Sequence, residues 1–132
     1  MTVCAIAPTT IPKPGQIRRS ILCVDDSQEM LEICQSILNA AGYQVFTASC
    51  GEEALELLER RSVDCCVVDN AMPGMSGIDL ARRIKSSAAG VLVVIYSGTL
   101  SGNESFPFVD ACLYKGKGPL ALRDLVASLL HK

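Results

Sequence analysis

Histidine is nearly absent from this sequence: His131 is the sole one, set beside seven cysteines with no regular spacing. Zinc motifs repeat Cys and His at short fixed intervals, so no zinc site is indicated. The odd cysteine count gives no disulfide framework either, and reduced thiols point to the cytoplasm. Excess charge is also lacking. Lys and Arg total 12 against 14 Asp and Glu, a net charge of −2. That gives no electrostatic case for nucleic acid or for a membrane surface. No apolar run approaches the roughly 18 residues that span a bilayer. The apolar patch at residues 3–7 is shorter than the core of a secretory signal and has no basic residue before it.

What is present suits one folded domain. The chain has 132 residues and is 49% hydrophobic, enough for a substantial core and against disorder. Residues 1–19 carry three prolines and a glycine and read as a flexible N-terminal extension. Residues 20–132 read as the domain. Its organising stretch is VDCCVVDNAMPGMSG, residues 63–77. Five of the six residues 63–68 are apolar or Cys, the habit of a strand buried on both faces. Within it, Cys65 and Cys66 should point to opposite faces. Cys23 and Cys34 fall at core positions and read as small hydrophobes. Asp69 ends the strand, and Pro73, Gly74 and Gly77 turn the chain into a loop.

The same alternation runs through the chain. Ser20–Val24 is a short apolar strand. Met30, Leu31, Cys34, Ile37, Leu38 and Ala41 follow at helical spacing. Asp26 or Ser27 can cap that helix, and Gly42 suits its stop. Residues 43–48 form a second strand. Ser49 with Glu52 has the spacing of a capping box before a helix with Ala54, Leu55, Leu57 and Leu58 inward. Ile78, Leu80, Ala81 and Ile84 mark a third helix. Residues 91–96 and Ala111–Tyr114 are further strands. Pro119 opens a last helix with Leu122, Leu125, Val126 and Leu129 inward. Repeated strand–helix alternation calls for a parallel sheet with helices on both faces, joined by right-handed crossovers.

In that arrangement Asp25, Asp26, Asp69, Ser97 and Lys115 all stand at carboxyl ends of strands, the edge where open α/β sheets bind ligands. Carboxylates about 4–5 Å apart repel by roughly 1–4 kcal/mol per pair at protein-surface dielectric. A hard divalent cation relieves this, and an all-oxygen ligand set favours Mg²⁺. A lysine adds a point charge for a phosphoryl oxygen, and a serine adds a hydroxyl donor. These are the parts that stabilise phosphoryl transfer onto a carboxylate. By charge alone the acceptor could be any of the three aspartates. Read separately, the acidic pair could merely cap a helix, and Asp69 and Ser97 could merely form turns.

The segments ILCVDDSQ, VVDNAMPGMSGIDL, Ser97-Gly98 and DACLYKG together resemble the receiver domain of two-component response regulators. The resemblance covers residues 20–130, more than four-fifths of the sequence. An acidic pair followed by D…MPxMxG is specific in combination, although each piece alone is weak. The family implies a flavodoxin-like, doubly wound, five-stranded parallel sheet of order 2-1-3-4-5. It implies Asp69 as phosphoacceptor, and Asp25 and Asp26 as the acidic pair at Mg²⁺, with Asp69 and the Ala71 carbonyl as further ligands. Ser97 resembles the hydroxyl that follows the phosphoryl group, and Lys115 the lysine that contacts it. Implied partners are a sensor histidine kinase or histidine phosphotransfer protein and a downstream protein.

Departures fall in the last third. In the family a proline usually follows the lysine through a cis peptide; here Gly116 follows. A cis bond without proline costs roughly 2.5–4 kcal/mol, so a trans bond is expected, with a mobile loop at Gly116-Lys117-Gly118. The family's aromatic switch position is held by Cys112, and Tyr114 shares its strand parity but lies nearer the lysine. Gly98, Gly102 and Pro107 leave little room for a fourth helix, so a reduced helix or a loop carrying Phe106 and Phe108 is expected. Three readings follow. The first is a non-enzymatic phospho-accepting receiver. The second is a receiver-like interaction module with weak or irrelevant phosphorylation. The third is a phosphohydrolase, ranked last because Asp25 and Asp26 are adjacent rather than two apart.

Overall fold

A computed structural model describes residues 18–88, 90–100 and 104–131; the expected extension at residues 1–17 lies outside them. Five strands form one sheet: β1 (Ser20–Val24), β2 (Gln44–Ala48), β3 (Cys65–Val68), β4 (Leu92–Ser97) and β5 (Ala111–Tyr114). All neighbours are parallel, as the strand–helix alternation calls for, and the order is β2-β1-β3-β4-β5, as the family resemblance implies. Four helices complete the fold: α1 (Gln28–Ala40), α2 (Gly51–Arg60), α3 (Gly77–Ser87) and α4 (Pro119–Leu130).

Strand alternation sends side chains into two cores. Ile21, Cys23, Cys65 and Val67 pack with Leu31, Cys34 and Leu38 of α1 and with Leu122 and Val126 of α4. Leu22, Val24, Cys66 and Val68 pack with Ala54 of α2 and with Leu80, Ala81 and Ile84 of α3. Cys65 and Cys66 therefore do face opposite sides. Burial pushes the Cys65 thiol up to about 12 and Cys66 higher still, which suits packing rather than reaction. The cysteines among the described residues are all free thiols.

Ser27 caps α1 by accepting the Met30 N–H at 3.3 Å. At α2 the capping partner differs from expectation: Glu53, not Glu52, reaches back to the Ser49 N–H at 2.5 Å, because the helix starts one residue later. At the opposite edge of the sheet Asp64 accepts the Ser20 N–H at 2.8 Å. Asp110 accepts the Val93 N–H at 2.8 Å and pairs with Lys85 at 2.8 Å. These contacts pin the amino ends of β1 and β4.

The segment between β4 and β5 holds no helix among its described residues, 98–100 and 104–110. Leu100, Phe108 and Val109 instead lie partly buried against the α2–α3 core. Phe106 stacks on Phe108, whose ring also carries the Arg82 guanidinium at 4.9 Å. After β5, where a loop at Gly116-Lys117-Gly118 is expected, the chain forms a 3₁₀ turn, Lys115–Lys117. No peptide bond among the described residues is cis. No described helix is long and apolar enough to cross a membrane.

Candidate functional site

Only four polar residues are buried among the described ones, and Asp25, Asp69 and Ser97 are three of them. Burying a carboxylate is costly without compensation, so their shared location is informative. Each aspartate stands one residue beyond its strand and is still held by a ladder bond. The Asp25 N–H donates to Ala48 O at 3.1 Å, and the Asp69 N–H donates to Val24 O at 2.9 Å. Because Val24 pairs with Val68 in register, the next residues, Asp25 and Asp69, come side by side.

Lys115 bridges them. Its Nζ lies 2.7 Å from Asp25 Oδ2 and 3.3 Å from Asp69 Oδ1. Lysine reaches the pair because β5 delivers it: Ser97 pairs with Tyr114, so the residue after Tyr114 emerges at the same edge. Burial, the largest influence, pulls the Lys115 ammonium down, but the hydrogen bonds and charges of Asp25 and Asp69 outweigh it and leave it raised. Burial also raises the Asp69 carboxyl, Asp25's charge adds to this, and Lys115 offsets them only in part. One cation therefore undercompensates the cluster.

Asp26 is exposed beside them, and one oxygen from each of Asp25, Asp26 and Asp69 falls within 4.8 Å of the others. A six-coordinate Mg²⁺ with ligands at 2.0–2.1 Å has ligand oxygens up to about 4 Å apart. Small side-chain movements bring the triad within that span, and three carboxylates against one ammonium leave two negative charges for a divalent ion to balance. The donor set thus fits Mg²⁺. Ala71 sits in the exposed loop two residues past Asp69. Asp25 Oδ1 also accepts the Ser27 N–H at 2.9 Å, which ties this carboxylate to the start of α1.

The loop after Asp69 is folded tightly. Asn70 O accepts the N–H groups of Met72 and Gly77, each at 3.1 Å, and Asn70 Oδ1 accepts the Ile78 N–H at 3.1 Å. Gly77 is required there, because a Cβ would lie against Asp69 O and 2.8 Å from Asn70 Cα. Gly74 takes φ +81°, a conformation that side chains resist. Ser76 then caps α3 through the Asp79 N–H at 3.1 Å. Asn70 was not singled out in the sequence, although its place between Asp69 and the glycines was a signal.

Ser97 ends β4, fully buried, but its recorded hydrogen bonds run to Thr99 and not to the carboxylates. The structure thus brings Asp25, Asp26, Asp69 and Lys115 into contact range and leaves Ser97 turned toward its own loop. Cys112 is half-buried against the α2–α3 core, while Tyr114 is 42% exposed with its ring over Gly116.

The family model of the response regulator receiver domain matches residues 21–115. Response regulator SaeR of Staphylococcus epidermidis is 42% identical over 65 residues, 49% of this chain and 28% of that protein. Virulence sensor protein BvgS of Bordetella pertussis is 32% identical over 91% of this chain and 11% of its own length. This chain therefore spans under a third of either relative. The structure of response regulator protein TrrA from Thermotoga maritima, in complex with Mg²⁺-BeF, superposes with a TM-score of 0.77. It is 29% identical, with 85% of this chain and 99% of that one covered. Matched strands, matched order and a model match over most of the chain lead to one conclusion: this chain belongs to the response regulator receiver domain family, the signalling domains of two-component systems.

Proposed function

We propose that this receiver accepts a phosphoryl group on Asp69. The observation that carries the reading is the buried Asp25–Lys115–Asp69 bridge beside exposed Asp26, a cluster left with uncompensated negative charge. Asp69 is the one carboxylate at the end of a central strand that also opens the tight loop 70–77, so its position is the most constrained. Asp25, Asp26, Asp69 and the Ala71 carbonyl would hold Mg²⁺. When bound, the ion neutralises charge on phosphoryl oxygens and on the acceptor.

The Asp69 carboxylate oxygen attacks phosphorus of a phosphohistidine on a sensor histidine kinase or a phosphotransfer protein. The P–N bond breaks, its electron pair leaves with the imidazole, and an acyl phosphate forms on Asp69. Lys115 gives up its contact with Asp69 and follows the charge onto a phosphoryl oxygen. Ser97 donates its hydroxyl to another. The modification replaces a −1 carboxylate with a phosphoryl group carrying about −1.5 to −2 charge at a buried edge, which draws Ser97 and its loop inward and biases the surface read by a downstream protein. In this reading residues 20–132 form the receiver, residues 1–19 are an N-terminal extension, and the setting is cytoplasmic.

Intact mass after incubation with Mg²⁺ and acetyl phosphate tests the reading. A phosphoryl increase is expected, lost in Asp69→Asn and lost with chelator. An increase retained in Asp69→Asn would overturn it. The segment between β4 and β5, without a helix among its described residues, favours one second reading, a receiver-like interaction module. Equal partner binding with and without Mg²⁺-beryllofluoride would select that reading over the first.

A further inference from the structure

The Ser97 hydroxyl is already engaged. The Thr99 N–H donates to Ser97 Oγ at 3.1 Å, and Thr99 Oγ1 lies 2.9 Å from the same oxygen. A buried hydroxyl must place its own proton on an acceptor. Ser97 is fully buried, and Thr99 Oγ1 is the acceptor its recorded contacts provide. Thr99 is exposed, so its hydroxyl can direct its own proton to water. The resting geometry therefore has Ser97 donating to Thr99, with the Thr99 N–H filling a lone pair of the same oxygen.

We propose that Thr99 is a positioning residue that latches the Ser97 hydroxyl in the resting protein and must release it before Ser97 turns to a phosphoryl group on Asp69. This rests on the phosphoacceptor reading of Asp69. The latch acts on the resting state alone. Removing the Thr99 hydroxyl leaves the Ser97 proton unsatisfied at rest and costs the phosphorylated arrangement nothing. The equilibrium between the two then shifts toward the second. Backbone support is retained, because the Thr99 N–H remains. Valine has nearly the shape of threonine, and the side chain is exposed, so the substitution leaves the core intact.

The experiment is a beryllofluoride titration of the full chain in Mg²⁺, followed by the Gly98 amide resonance. Thr99→Val should bind roughly fivefold tighter than the native protein, the factor expected for one hydrogen bond. Thr99→Ser, which restores the hydroxyl, should return to about the native affinity. In a Ser97→Ala background Thr99→Val should change nothing, since the latch acts through Ser97. Unchanged or weaker binding by Thr99→Val, or the same gain in the Ser97→Ala background, would overturn the latch while leaving the acceptor reading intact. No saturable response from the native protein, together with no phosphoryl mass from acetyl phosphate, would overturn the acceptor reading and the latch with it.

Discussion

The two halves of the sheet's carboxyl edge are built differently. At β1 and β3 each aspartate continues its strand's ladder, and the loop after Asp69 is closed by Asn70 around a glycine with no room for a side chain. At β4 and β5 the constraints are lighter. The Ser97 hydroxyl is engaged by Thr99 of its own turn, the following segment has no helix among its described residues, and a Cβ at Gly98 would meet nothing within 4 Å. Chemistry that depends on fixed carboxylates belongs to the first half. The second can be rebuilt, here as a loop with Phe106 and Phe108 laid on α3, without moving those carboxylates.

The strongest way to break this contrast is to remove Lys115, whose side chain joins the halves. Lys115→Met should slow phosphoryl uptake from acetyl phosphate by about 10²–10³-fold, the usual loss when one electrostatic donor leaves a reacting centre. A rate within a few-fold of native would show that the β5 side contributes little to the site. Next comes a glycine series read by denaturant midpoint. Gly77→Ala forces a Cβ into backbone and should cost about 2–3 kcal/mol. Gly116→Ala meets first the exposed Tyr114 ring and should cost about 1 kcal/mol, recovered when Tyr114 is also truncated to Ala. Gly98→Ala should stay within about 0.5 kcal/mol. Equal costs at Gly77 and Gly98 would erase the distinction.

A smaller effect has a defined pH dependence. Asp69's carboxyl is raised in the fold, so the folded protein binds its proton more tightly than the unfolded chain and the group opposes folding once ionised. Metal-free Asp69→Asn should therefore melt a few degrees above native at pH 7, with the gain shrinking as pH falls through Asp69's raised value and vanishing below the unfolded carboxyl's 3.8. A lower melting temperature at pH 7 would mean that Lys115 more than offsets burial and Asp25.

Much of the first half was legible in the sequence because its signals are dense. The apolar run before Asp69 specified a strand, and Pro73, Gly74 and Gly77 specified the loop. The second half was legible mostly as departures. Gly98 and Pro107 foretold a segment with no helix among its described residues, and Gly116 the trans bond. What escaped were contacts without a periodic trace. Glu53 replaced Glu52 as the cap partner because one residue of slippage at the helix start is invisible to spacing. The 3₁₀ turn at Lys115–Lys117, with the Tyr114 ring over Gly116, has no counterpart in the spacing. Thr99 gave no sign, since an exposed hydroxyl two residues past a strand looks like any turn.

Charge alone left three aspartates as candidate acceptors, and the central claim is that geometry selects Asp69. Borohydride reduction of the acetyl-phosphate-treated protein converts an acyl phosphate to an alcohol, and peptide mass mapping then reads which aspartate carried it. The account predicts reduction at Asp69 and at neither Asp25 nor Asp26. Reduction at Asp25 or Asp26 with Asp69 untouched would contradict it.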